Sequence, residues 1–282
     1  MKIGVSVEST NDLGNELLEK FNISVVPFDI TLGDNTYKDG EIATYDIFKY
    51  VDETGILPKT NAINDFGYTE YFEGLKKEYD AIIHICLSSG LSSSCGNAMR
   101  AAKEMKNVFV IDSKSLSTGI GLLALYACDL VQEGFMPEEI AKKVSERVDK
   151  LQVSFVIERL DYIYKGGRCN SLQLFGANLL KLRPRIIVKD GKMSADKKYR
   201  GNMVKVVNNY CADTLEEFNT PDLTRVFVTY TTATKEMVDA AKAALEEAGF
   251  KNIYETHAGC TIASHCGGNT LGILYFNDGN KQ

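Results

Sequence analysis

Short β-branched or aromatic runs alternate with amphipathic helical stretches through the first half of this chain, and that succession restricts its fold more than any other feature. KIGVSV near 2–7, ISVVPFDITL near 23–32, AIIHICL near 81–87 and NVFVIDS near 107–113 read as strands. FGYTEYFEGLKK at 66–77 and SSSCGNAMRAAKEM at 92–105 read as helices between them. Strand, helix and strand at this spacing imply a mostly parallel open sheet with helices on both faces. A longer helical stretch follows at 117–134, and then PEEIAKKVSERVDKL, where Pro137 suits the first turn and the two glutamates suit the amino end.

The texture changes near residue 150. VSFVIE leads into a region rich in Gly, Arg, Asn and Lys, followed by RIIVKDGKMSADKKY, a strand pair with Asp190-Gly191 as its tight turn. VKVVNNYCADTLEEF, strand TRVFVTY, helix TKEMVDAAKAALEEAG stopped by Gly249, and strands NIYETHA and LGILYF complete the chain. The expected architecture is α/β with two domains: residues 1–150 around a mostly parallel open sheet, and residues 151–282 as a second α/β domain packed against it.

With 282 residues and 44% hydrophobic residues, the chain is long enough to bury a substantial core. Its 32 basic and 38 acidic residues are mixed throughout and leave a net charge of -6, so no broad basic face is offered to nucleic acid. No apolar run has the length of a membrane span, and the amino end shows no signal-peptide pattern, so a cytoplasmic chain without stable membrane insertion is expected. The 7 cysteines are scattered and odd in number, which fits free thiols in a reducing compartment.

Ligands of open parallel sheets lie beyond the carboxyl ends of strands, which directs attention to the loops there. SSGLSSS at 88–94 puts hydroxyls and free amides just before a helix, a setting that suits phosphate or carboxylate and equally an ordinary serine cap. LPKTN at 57–61 adds Thr60, and EST at 8–10 with Asn11-Asp12 follows the first strand. Neither a GxGxxG nor a GxxxxGK[ST] pattern is present, nor HExxH, an EF-hand loop or any His, Cys and carboxylate cluster at ligand spacing. No cofactor and no metal are therefore expected. His265 beside Cys266 satisfies a nucleophile and base pair only in composition, because adjacent residues seldom face each other productively. His265 reads instead as a polar ligand contact, and His84, inside an apolar strand, as a core histidine.

Arg168 in KGGR and Arg200 in YRG flank an apolar segment, FGANLLKL at 175–182. That segment, GIGLLALY at 119–126 and FVIERL are equally suited to line an apolar cavity or to fill a core. Three classes of function remain compatible with these features: a ligand carrier, a phosphotransferase or hydrolase using the serine loop and His265, and a protein-interaction module.

In order along the chain, VEST, LPKTN, SSGLSSS, VIDSKSLSTGIGLL, YKGGR, YRG and SHCGGNTLG resemble the landmarks of the DegV family of bacterial fatty-acid-binding proteins. The resemblance implies two α/β domains that enclose an acyl chain, with no catalytic residue of their own. It implies carboxylate contacts at Thr60, Ser92, Ser93 and His265, and places Arg168 and Arg200 at the cavity mouth or a docking face. It further implies a long-chain fatty acid as ligand and an ATP-dependent fatty acid kinase as partner, whose acyl-phosphate product feeds phospholipid synthesis. The chain departs from the family pattern where Asn61, Ala62 and Ile63 replace Ser-Gln-Pro, where Cys95 replaces an aromatic, and where Cys266-Gly267-Gly268-Asn269 replaces Thr-Gly-Pro-Gly. A second hydroxyl beside Thr60 is lost or moved by the first of these.

Overall fold

The structure is a computed structural model and describes residues 1–169 and 182–279. Strands β1 (Ile3–Glu8), β2 (Ile23–Val26), β6 (Ala81–Cys86) and β7 (Val108–Asp112) form a wholly parallel sheet in the order β2-β1-β6-β7. The connections carry α1 (Asn15–Lys20), α2 (Thr44–Thr54), α3 (Asp65–Leu75) and α4 (Ser94–Ala102). All six residues of β6 are buried, as a central parallel strand covered on both faces requires.

ISVVPFDITL, expected as one strand, is two strands in different sheets. Pro27 has no amide to donate to a ladder, so pairing in the first sheet stops at Val26. The chain resumes as β3 (Asp29–Leu32), which joins β4 (Asn35–Lys38) and β5 (Lys59–Asn61) in a small antiparallel sheet. LPKTN, expected as a loop, supplies β5, with Thr60 opposite Ile30.

After α5 (Thr118–Gln132) and α6 (Pro137–Arg147), strands β8 (Leu151–Val156), β9 (Arg183–Lys189), β10 (Lys192–Tyr199), β11 (Val226–Tyr230), β12 (Ile253–His257) and β13 (Leu271–Phe276) form a mixed sheet. Its order is β10-β9-β8-β13-β11-β12, and only β11 with β12 is parallel. Asp190 and Gly191 both have positive φ, 50° and 76°, as the primed turn of the β9–β10 hairpin demands. Helices α7 (Leu160–Gly166), α8 (Met203–Glu217), α9 (Lys235–Glu247) and α10 (Cys260–Cys266) complete the fold.

Helix α5 lies between the two large sheets, in contact with β1 and β6 on one side and with β8 and β13 on the other. That position explains a helix apolar all round, with Ile120, Leu122, Leu123 and Leu125 all buried. Its glycines permit the approach: a Cβ on Gly119 would fall 2.2 Å from Ser115 Oγ, and one on Gly121 would fall 2.6 Å from Leu13 Cδ2. One apolar cluster thus runs from Val5, Val7 and Ile83 through α5 to Val153, Phe155 and Leu274. Residues 119–126 fill this core, while FGANLLKL at 175–182 lies outside the described residues but for its last, Leu182.

Candidate functional site

A cavity of about 370 Å³ opens where the three sheets meet. β5 contributes Thr60, the loop after β6 contributes Ser92 and Ser93, the turn after α7 contributes Arg168, and α10 contributes His265. Phe28, Leu87, Leu91, Leu116, Met193 and Ile262 form its apolar wall, and no carboxylate is among the described residues that line it. Leu116, Ile262 and Cys266 also border an inner chamber of about 30 Å³ that reaches Phe155 and Leu274. Hydroxyls around that chamber are already bonded within the protein: Thr231 Oγ1 donates to Gly267 O at 2.7 Å and Thr270 Oγ1 to Cys266 O at 3.0 Å. The inner end is therefore apolar in practice.

Thr60 Oγ1 is 2.9 Å from His265 Nε2, whereas His265 Nδ1 is buried without a partner. Burial, and secondarily the charge of Arg168, push the His265 pKa down to about 4, so the ring is neutral at physiological pH. A bare ring nitrogen beside a guanidinium is less costly than an orphaned N–H donor. This assigns the proton to Nε2, which donates to Thr60 and leaves the threonine O–H free to point into the cavity.

The two glycines before Arg168 have separate causes. A Cβ on Gly166 would lie 2.8 Å from His265 Nδ1, so this position admits the ring only without a side chain. Gly167 closes α7 in the left-handed region, with φ 71°. Exposed Arg168 then turns back, its Nη1 donating to Gly166 O at 2.6 Å.

The serines of the SSGLSSS loop divide by task. Ser88 and Ser89 are committed to Gly191 O and Asp112, and Ser94 pairs with Tyr68 at 2.8 Å. Ser92 Oγ accepts from Ser94 N at 3.2 Å and keeps its proton to donate, and the side chain of Ser93 makes no capping bond at the start of α4. Hydroxyl donors at a helix amino end, facing neutral histidine and a guanidinium, suit an anion.

Arg200 is exposed beyond the end of β10 and does not line the cavity. It follows Met193, a cavity residue, by a strand length of roughly 20 Å. Cys266 does line the cavity, but burial and the nearby Asp12 raise its thiol to about 12, so it is not a thiolate nucleophile. EST and Asn11-Asp12 also stay outside the lining. Asp12 accepts from Gly259 N at 2.8 Å, and Asp39 accepts from Cys260 N at 3.0 Å, Thr261 N at 3.2 Å and Ser9 Oγ at 3.0 Å. Together these carboxylates seat the start of the helix that bears His265.

Beneath α3 and α4 lies a polar row that sequence spacing does not reveal. Ligand atoms of Glu8, His84 and Cys86 lie within 4.8 Å of one another, all buried. Glu8 accepts from Tyr68 and, at 2.5 Å, from Leu87 N, and burial raises its pKa. His84 Nδ1 is 2.6 Å from Ser6 Oγ, and burial lowers its pKa to about 3. The β-branched runs of β1 and β6 signalled these strands, but only their pairing brings residues 8 and 86 together.

A protein-family model described as uncharacterised protein, DegV family, matches residues 2–278. The chain belongs to the DegV family. A DegV domain-containing protein of Caldanaerobacter subterraneus is 29% identical over 280 residues, 97% of this chain and 98% of that one. A protein of Thermotoga maritima named fatty acid-binding protein is 31% identical over 210 residues, 72% of this chain and 73% of its own length. The solved structure of a fatty-acid-binding DegV family protein from Thermus thermophilus superposes with a TM-score of 0.90 at 26% identity, covering 98% of this chain and 99% of that one. No helix among the described residues of this DegV protein is long and apolar enough to cross a membrane.

Proposed function

We propose that this DegV protein binds one long-chain fatty acid, with its carboxylate at Thr60, Ser92, Ser93 and His265 and its tail along the apolar wall toward Phe155. The observation that carries this reading is the convergence of uncommitted hydroxyls on an apolar cavity whose described lining contains no carboxylate. Each buried methylene contributes ~0.8 kcal/mol before ordering costs. An ionised head group stranded in such a place would cost several kcal/mol, which hydrogen-bond donors offset. Residues 1–150 supply the head-group loops in this reading, and residues 151–282 supply the far wall and the basic loops. Arg168 guards the mouth, while Arg200 faces the partner, a cytoplasmic ATP-dependent fatty acid kinase that phosphorylates the presented carboxylate for phospholipid synthesis.

Denaturing extraction of the purified protein, followed by mass spectrometry of what is released, tests the ligand. A fatty acid near one per chain is expected; an empty protein that also fails to bind added fatty acid overturns the reading. For the handover, Arg200→Ala should lower acyl-phosphate formation by the kinase while lipid affinity stays unchanged, and undiminished product would remove Arg200 from the docking face.

A further inference from the structure

The loop that carries Ser92 is held from both large sheets. Ser88, fully buried two residues beyond β6, donates its amide to Ser115 O at 2.9 Å and accepts at its carbonyl from Leu91 N at 2.9 Å and Ser92 N at 3.1 Å. Its hydroxyl donates to Gly191 O at 2.7 Å and accepts from Gly90 N at 3.1 Å. Gly191 is the tip of the β9–β10 hairpin and belongs to the other sheet. Neither glycine has room for a side chain, since a Cβ on Gly90 would lie 2.4 Å from Gly191 O and one on Gly191 2.6 Å from Ser88 Oγ. Met193, two residues past the tip, is itself a wall of the cavity.

We propose that Ser88 is a positioning residue for the head-group site and that the hairpin tip at Gly191 is the latch that holds it in place. The inference rests on the fatty-acid reading above. The bond to Gly191 fixes the Ser88 side chain, and the Ser88 carbonyl in turn fixes the turn through Ser92. Head-group recognition by the first sheet is thereby conditional on the second sheet's hairpin being docked. With the latch broken, Ser92 and Ser93 lose their aim at a carboxylate, while Phe28, Leu116 and Ile262, the part of the apolar wall outside the loop and the hairpin, stay in place. A ligand with the same tail and a neutral head loses less than the acid does.

The test compares palmitic acid with palmityl alcohol on the full-length, delipidated protein. Ser88→Ala should weaken binding of the acid about tenfold, the scale of one lost buried hydrogen bond, and leave the alcohol within about twofold. Gly191→Ala, whose methyl presses on the Ser88 hydroxyl, should show the same bias toward the acid. Because Ser88→Ala removes the atom that this methyl strikes, the double variant should lose less than the product of the two single losses. Equal losses for acid and alcohol, strictly multiplicative single effects, or unchanged acid binding in Ser88→Ala would each overturn the latch. If the unsubstituted protein binds neither lipid, the carrier reading falls and the latch falls with it. Binding by the unsubstituted protein with no effect of Ser88→Ala removes the latch alone.

Discussion

Thr60 and His265 stand 205 residues apart in the chain and 2.9 Å apart in the structure, joined through Thr60 Oγ1 and the ring Nε2. The pair ties the small antiparallel sheet to α10, and it also sets the polarity of the threonine hydroxyl. Because the ring nitrogen donates, the Thr60 hydroxyl keeps its proton for the cavity, where the proposed carboxylate can accept it.

Thr60→Val keeps the shape and removes the hydroxyl, which leaves His265 Nε2–H without its acceptor. Combined with Ser92→Ala, it should weaken fatty-acid binding about tenfold to a hundredfold, with roughly 1–2 kcal/mol of stability lost at the histidine. Thr60→Ser should retain most of the affinity. Displacement of a fluorescent fatty acid reads the binding and denaturant unfolding reads the stability; unaltered affinity in the double variant would move the head-group site elsewhere.

The first sheet was legible because its strands are short β-branched runs bounded by amphipathic helices, and the hairpin was legible because Asp190-Gly191 permits few other turns. Residues 59–61 carried no comparable signal: Lys-Thr-Asn does not alternate, and its pairing is dictated by β3. α10 was equally hidden, since its amino end is seated by Asp12 and Asp39, more than 200 residues away in sequence. The KGGR turn is conspicuous in the sequence, yet its first glycine is explained only by the His265 ring against it. Among the serines, composition marked the whole loop, whereas the division between Ser92 and Ser93 at the cavity and Ser88, Ser89 and Ser94 elsewhere depends on partners in other strands.

Acid should destabilise the protein partly through its histidines. Burial lowers His265 from 6.5 to about 4 and His84 from 6.5 to about 3, so the unfolded chain takes up protons that the folded chain refuses. The stability they contribute is complete above about 6.5, and it is lost as pH falls toward about 4 for His265 and about 3 for His84. His265→Gln, whose amide can still donate to Thr60, should lose less stability than the unsubstituted protein between pH 7 and pH 4.5. The expected difference is roughly 1–2 kcal/mol, allowing for solvent near a half-buried ring. Urea unfolding at the two pH values measures it, and identical losses would mean that the folded protein protonates His265 freely.

Asp12 has the opposite sign. Burial raises its pKa from 3.8 to about 8 despite hydrogen bonds from Ser117 and Gly259, with the charge of Asp39 adding to the rise. The folded protein therefore holds Asp12 neutral at pH 7, while the unfolded chain ionises it. Its contribution to stability is complete below about 3.8 and is lost as pH rises through about 8. Asn is a close mimic of the neutral form: its carbonyl can accept from Gly259 N and its amide can donate to the Ser117 hydroxyl. Asp12→Asn should thus match the unsubstituted protein near pH 4 and gain at least about 1 kcal/mol over it by pH 9. Unfolding free energies across that range read the divergence, and parallel curves would show that Asp12 is ionised in the folded state. Since the amide keeps the start of α10 in place, His265 stays opposite Thr60 and fatty-acid affinity should hold even as the pH dependence of stability changes.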